Sequence, residues 1–240
     1  MEFICLAAGK GSRMGRLGSY LQKAMYPVGL KPFLQHSLEQ LLASGAAPAG
    51  SRIVLVVGHL AQQVEAYFGS RFEGLEVAYV RQERLAGTGD ALRLAATALQ
   101  GSGSVVAWQG DLFVPSQLFA QLVRHPRANV VTLGEGHEDE SPVLRATTVG
   151  DEVSRVWQGA GPLLDIGLWK LDSELLPEFG KVVATGGEYR MLPNLQRLID
   201  GGVRVGFVTS NEWVHLGGTL PSAEENVRQV ARRLWLEGSD

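Results

Sequence analysis

The chain alternates apolar runs of strand length with segments of helical period, and no other feature narrows its fold as much. Phe3–Ala8 is a continuous apolar run of the kind buried on both faces of a parallel sheet, and a glycine-rich turn follows it. From Pro32 to Ser44, Phe33, Leu34, Leu38, Leu41 and Leu42 recur at helical spacing, with Gly45 placed to end the helix. The β-branched run Arg52–Gly58 predicts a second strand and His59–Phe68 a helix; Leu75–Val80 and Thr88–Leu99 repeat the pair. Val105–Trp108 predicts a fourth strand ending at Gly110-Asp111, followed by a helix over Ser116–Arg124 and a strand over Asn129–Leu133. Repeated strand–loop–helix units demand right-handed crossovers, so the fold class is α/β, a mostly parallel mixed sheet flanked by helices.

The second half changes character. His137–Pro142 is charged and turn-rich, which predicts a solvated loop. Short strands over Val143–Val149, Val153–Trp157 and Leu163–Trp169 predict a smaller antiparallel β portion. Tyr189–Asp200 reads as a helix, Val203–Val208 as a strand, and Ser222 with Glu225 as the capping box of a last helix. With no linker or internal repeat, residues 1–240 are expected to form one domain, 1–134 binding nucleotide and 135–240 an acceptor.

Composition removes several classes of function. A net charge of −3 (22 basic, 25 acidic residues) gives no general reason to expect nucleic acid as a partner. No apolar stretch approaches the roughly 20 residues of a membrane span, and the N-terminus lacks a basic region before its apolar run. A cytoplasmic protein is expected. One cysteine, Cys5, excludes an internal disulfide and a cysteine-based zinc site.

The chemistry-bearing segment is Leu6-Ala7-Ala8-Gly9-Lys10-Gly11-Ser12-Arg13-Met14, a strand end running into two glycines and a cation. Glycines let backbone N–H groups approach phosphate, and Arg13 adds a charged donor. A dinucleotide fingerprint fails, because Met14 stands where its third glycine belongs. A P-loop fails as well, since Gly15 is followed by Arg16-Leu17. The segment instead resembles the L-A-A-G-x-G-x-R-M signature of sugar-1-phosphate nucleotidylyltransferases. Lys23 and Pro27-Val28 are also in place, although Gln22 replaces the usual proline before the lysine. The resemblance implies a Rossmann-like fold, with Leu6, Ala8, Gly9 and Gly11 around a nucleoside triphosphate and Arg13 and Lys23 holding its phosphates.

Further segments follow in the family's order. Gln82 precedes Gly87-Thr88-Gly89-Asp90-Ala91, similar to the pattern of members using uridine or thymidine triphosphate. The resemblance makes Gln82 the reader of the base edge, donating to O4 while accepting from N3–H, with Gly87 and Thr88 beside it. Asp90 is expected to cap the next helix. Gly110-Asp111 resembles the family's G-D, which makes Asp111 a Mg²⁺ ligand and catalytic residue. Glu188-Tyr189 resembles part of a G-E-Y beside the sugar pocket, and Trp213-Val214-His215 resembles a W-x-D.

Departures concentrate in the second half. His215 stands where a second metal-binding aspartate is usual, which favours a softer ion such as Mn²⁺. Val156–Gly159 replaces E-K-P, Leu192-Pro193 replaces T-D, and Asp165 replaces the asparagine of N-x-G as an acceptor contact. The resemblance therefore implies transfer of a nucleotidyl group, from uridine or deoxythymidine triphosphate, to a sugar-1-phosphate or similar acceptor. Two other readings stand beside it: a cytidylyl or guanylyl transferase acting on a polyol phosphate or phosphocholine, and a catalytically weakened nucleotide-sugar sensor or assembly subunit. Neither a membrane nor nucleic acid is an expected partner, and a homo-oligomer is compatible with all three.

Overall fold

The computed structural model describes residues 1–135, 144–184, 186–217 and 220–237, so the charged stretch His137–Pro142 and Val143 lie outside the described residues. The elements run β1 (Glu2–Ala7), a hairpin of β2 (Pro27–Val28) and β3 (Lys31–Pro32), α1 (Phe33–Ala43), β4 (Arg52–Val57), α2 (Ala61–Phe68), β5 (Arg71–Phe72) and β6 (Leu75–Arg81). They continue through α3 (Thr88–Ala95), β7 (Ser104–Gln109), β8 (Leu112–Phe113), α4 (Ser116–Arg124), β9 (Val130–Glu135), β10 (Leu144–Val149), β11 (Glu152–Gln158) and β12 (Leu163–Asp172). The last are α5 (Met191–Asp200), β13 (Gly206–Thr209), β14 (Val214–His215) and α6 (Leu220–Glu237).

Strands β7, β1, β4 and β6 lie side by side and parallel, with Ile4 level with Val54 and Ala107. Their near-continuous apolar runs follow from burial on both faces. Phe3 and Cys5 pack on one side with Leu38, Val64 and Leu118 of α1, α2 and α4. Ile4, Val54 and Val56 pack on the other with Leu92 of α3 and Leu195 of α5. The period-2 alternation of a strand thus divides one run between two cores.

The second-half strands are antiparallel where expected, yet they extend the same ten-stranded sheet instead of building a portion of their own. The central one is β12, which inserts antiparallel between β7 and β9. It is buried from Leu164 through Leu171, on both faces, as a strand inside a sheet is. Two local expectations fail. The helix over 88–99 stops at Ala95 and tightens into a 3₁₀ turn. The last helix starts at Leu220, two residues before the expected Ser222, and Pro221, which has no N–H to leave unpaired, suits such a start.

A third core of Met14, Val28, Phe33, Phe113, Leu216 and Val230 binds α6 to the first hairpin and to the short β8–β14 pair. That packing brings His215 beside Leu112 and hence beside Asp111. No helix among the described residues is long and apolar enough to cross a membrane.

Candidate active site

The connections leave β1 toward β4 on one side and reach β7 on the other, so a crevice opens at the carboxyl ends of β1 and β7. Open α/β sheets place their ligands at such a reversal. Here it forms a cleft of about 720 Å³, whose lining includes Leu6, Ala8, Gly9, Gly11, Arg13, Lys23, Gln82, Gly87, Thr88, Gly110, Asp111 and Glu188. Asp165, Tyr189 and His215 are not among its lining residues.

The glycine turn is built for access at Gly9 and for conformation at Gly11. A side chain on Gly9 would project into open space, so none of the described residues requires its absence there. Gly11 has φ +60° and its carbonyl accepts from Met14 N at 2.8 Å, which starts the 3₁₀ segment Ser12–Ser19 carrying Arg13. Gln22, only 1% exposed, ties the turn to the strand: its amide nitrogen donates to Ala7 O at 2.7 Å. Its side-chain oxygen also caps the 3₁₀ turn that begins at Lys23. The glutamine that departs from the family's proline thus fixes the lysine by hydrogen bonds in place of a ring.

Lys23 Nζ donates to Asp111 Oδ2, with both side chains mostly buried. Burial alone would raise the Asp111 pKa, but the Lys23 ammonium and the facing His215 ring outweigh it and hold the carboxyl at about 2. His215 Nε2 bonds the Ile166 carbonyl at 3.0 Å; because a carbonyl only accepts, that nitrogen carries the proton. Nδ1 is left with a lone pair 4.0 Å from Asp111 Oδ1. Burial pushes the His215 pKa below its ordinary value, against the opposing pull of Asp111, so the neutral ring prevails at pH 7. Two lone-pair atoms facing each other suit a shared cation. Among the described residues no group of three or more His, Cys, Asp or Glu is arranged to hold a metal, so other ligands would have to come from substrate and water.

Across the cleft, Gln82 corrects one expectation. Its Nε2 donates to Gly87 O at 3.0 Å and to Asp90 Oδ2 at 2.9 Å, so it cannot also donate to a base. Asp90 caps nothing; it sits in the first turn of α3, whose N-cap is Gly87, and binds Gln82 and Arg93. Gly87 has φ +101°, and a Cβ there would lie 2.6 Å from Tyr189 O. The glycine is required by the Tyr189 backbone, which accepts from Gly89 N at 2.7 Å and donates to Ala86 O at 2.6 Å. Thr88 Oγ1 accepts from Met191 N at 3.1 Å. Tyr189 therefore acts here through its backbone, joining the Gly87 loop to the wall that carries Glu188.

That wall holds a cation the sequence reading overlooked. Arg190 lines the cleft, with Nε 3.0 Å from Glu188 Oε2 and Nη1 donating to Gln158 Oε1 at 2.9 Å. Positions 158 and 190 are 32 residues apart, and only the fold sets Gln158 and Arg190 together.

Asp165, expected as an acceptor contact, does not line the cleft. It is buried in β12 at an irregularity of the sheet, its Oδ1 accepting from Gly167 N at 3.1 Å and Trp169 Nε1 at 2.8 Å, while Oδ2 has no partner among the described residues. Burial raises its pKa to about 7, outweighing those two hydrogen bonds. A carboxyl pKa raised on folding contributes stability that is complete below about pH 4 and lost as pH rises through 7. Asp165→Asn keeps the Oδ1 acceptor and removes the charge. The variant should gain a few kcal/mol on the wild type between pH 5 and pH 8 in urea unfolding. Parallel pH dependences would refute the assignment.

Comparison with known proteins agrees with this geometry. A parallel sheet with a glycine turn and a carboxylate at adjacent strand ends, both lining one cleft, has the layout of an α/β nucleotide-binding domain. Residues 3–176 match the MobA-like NTP transferase domain, and the chain belongs to that family. It is 30% identical to the bifunctional protein GlmU of Exiguobacterium sibiricum over 97% of its own length and 54% of that protein's. It is 39% identical to GlmU of Paracidovorax citrulli over 47% of its length and 22% of that protein's. The chain thus spans about half or less of these curated relatives. In fold it resembles a UDP-glucose pyrophosphorylase crystallised with UDP-glucose, with a TM-score of 0.81, 17% identity and 98% of each chain covered. A putative glucose-1-phosphate thymidylyltransferase from Bacillus anthracis, in complex with a sucrose, gives 0.79 at 19% identity over 97% of this chain and 95% of that one.

Proposed function

We propose that this chain transfers a nucleotidyl group from uridine or deoxythymidine triphosphate to a sugar-1-phosphate or similar phosphate acceptor, releasing pyrophosphate. The observation that carries this reading is the convergence on one cleft of the Gly9–Gly11 turn, the Lys23–Asp111 pair and the Gln82 amide. The relatives are in keeping with it, one solved with UDP-glucose and another titled a thymidylyltransferase.

An acceptor phosphate is already ionised, so no general base is needed. Its oxygen attacks the α-phosphorus in line, the bond to the β-phosphate oxygen breaks, and pyrophosphate leaves with the electron pair. Backbone N–H groups of the glycine turn and the Arg13 and Lys23 cations stabilise the charge that develops on the phosphates. Asp111 and His215 would hold a divalent cation, Mg²⁺ or Mn²⁺, which supplies further charge neutralisation. Arg190, steadied by Glu188 and Gln158, offers the acceptor phosphate a cation in place of the missing E-K-P lysine.

Pyrophosphate release over a panel of triphosphates and sugar phosphates tests the reading. Turnover is expected with uridine or deoxythymidine triphosphate and a hexose 1-phosphate. Preference for cytidine or guanosine triphosphate would instead support transfer to another phosphate acceptor. Tight nucleotide binding without release would leave a sensor.

A further inference from the structure

We propose that Asp90 and Arg93 are specificity-determining positioning residues, which lock the Gln82 amide so that it meets a nucleobase only as a hydrogen-bond acceptor. The proposal rests on the nucleotide reading above and deepens it.

The orientation of Gln82 follows from its partners. The end of the amide facing Gly87 O at 3.0 Å and Asp90 Oδ2 at 2.9 Å meets two groups that only accept, so that end is the NH₂. Both of its hydrogens are then used. Turning the amide over would set Oε1 against a carbonyl and a carboxylate at these distances, two lost bonds replaced by two repulsions. The root of the side chain is held as well, since Gln82 N donates to Val57 O at 2.8 Å. Asp90 is itself anchored, its Oδ1 accepting from Arg93 Nη2 at 2.6 Å and Nε at 3.2 Å. Gln82 lines the cleft, and its Oε1 has no partner among the described residues.

An acceptor in that position selects a base by the hydrogen at its pairing edge. Uracil and thymine carry a hydrogen on N3, which Oε1 accepts; cytosine presents a bare lone pair at the same atom and is repelled. The choice is thus made two links away, by the charge of Asp90. In Asp90→Asn, Arg93 still attracts the side-chain oxygen, which turns the new NH₂ toward Gln82. Half of the lock is then reversed: the flipped Gln82 amide gains a bond from that NH₂ against the repulsion it still meets at Gly87 O, so the orientation with its own NH₂ toward the base becomes accessible. Adding Arg93→Met frees the introduced amide to turn its oxygen back to Gln82 Nε2 and should restore the original orientation.

Calorimetric binding of uridine and cytidine triphosphates to the full chain tests this, with wild type, Asp90→Asn and Asp90→Asn/Arg93→Met. The wild type should prefer the uridine nucleotide. The single variant should lower that preference by roughly tenfold or more, the scale of a hydrogen bond exchanged for a repulsion. The double variant should regain most of it, a recovery that a merely structural role for Asp90 does not produce. An unchanged preference in Asp90→Asn, including equal weakening of both nucleotides, would overturn the lock while leaving the nucleotide reading intact. No recovery in the double variant, or a wild type that prefers cytidine triphosphate, would also overturn the lock. Binding of neither nucleotide by the wild type would overturn the nucleotide reading and the lock with it.

Discussion

Lys23→Ala should lower turnover by two to three orders of magnitude, about 3–4 kcal/mol, because its ammonium lines the cleft beside Asp111, where it would neutralise the charge that develops on the phosphates. A lysine in a loop is ordinarily solvated and its loss leaves folding nearly untouched, but Lys23 is placed otherwise. Its side chain is 15% exposed and its ammonium touches Asp111, itself 19% exposed. Removing it strands a carboxylate that burial already disfavours. The variant should therefore also lose roughly 1–3 kcal/mol of stability at pH 7. Lys23→Ala/Asp111→Asn, with no charge left to strand, should regain most of that stability but none of the activity. Turnover measured beside urea midpoints separates the two effects. Normal turnover in Lys23→Ala would remove the residue from the mechanism.

Asp111→Asn should be equally severe for activity, abolishing metal-dependent turnover, because the amide gives up the charge that a divalent cation and Lys23 both use. Its acid behaviour should change in a defined window. With the folded pKa held at about 2, below the ordinary value near 3.9, Asp111 contributes stability above about pH 4 and loses it as pH falls through 2. The variant should lack that part of the acid-unfolding slope. His215→Asp probes the same place from the other side, since it sets a second carboxylate at the position facing Asp111. Mg²⁺ should then activate at lower concentration. A titration of turnover against Mg²⁺ reads both variants; Asp111→Asn retaining wild-type metal dependence would exclude the carboxylate as a ligand.

Much of the fold was legible in residue order. The runs Phe3–Ala8, Arg52–Gly58 and Val105–Trp108 are too apolar for anything but strands buried on both faces, and all three lie in the parallel centre. The glycine turn and Gly110-Asp111 were readable for a related reason. Both follow a strand directly, so the end of the strand fixes where they stand. The second half was harder to read, because the partner of a strand is not written in the strand. Nothing in Leu163–Trp169 says that it inserts between β7 and β9.

What the sequence by itself determined is what short range dictates: which runs are strands, where the backbone must turn, and that a glycine turn followed by cations stands at the end of the first strand. Only the tertiary structure decided which polar atoms remain free for a ligand. Gln82 is a donor and acceptor on paper, but Gly87 O and Asp90 consume its hydrogens. Lys23 is a solvated cation on paper, yet it is paired with a carboxylate 88 positions away. Asp165 has the chemistry of an acceptor contact and lies buried in the sheet beside Trp169. The physical reason is the same in each case. Hydrogen-bond capacity and charge are finite, and long-range packing, which local pattern does not encode, determines which partners use them first.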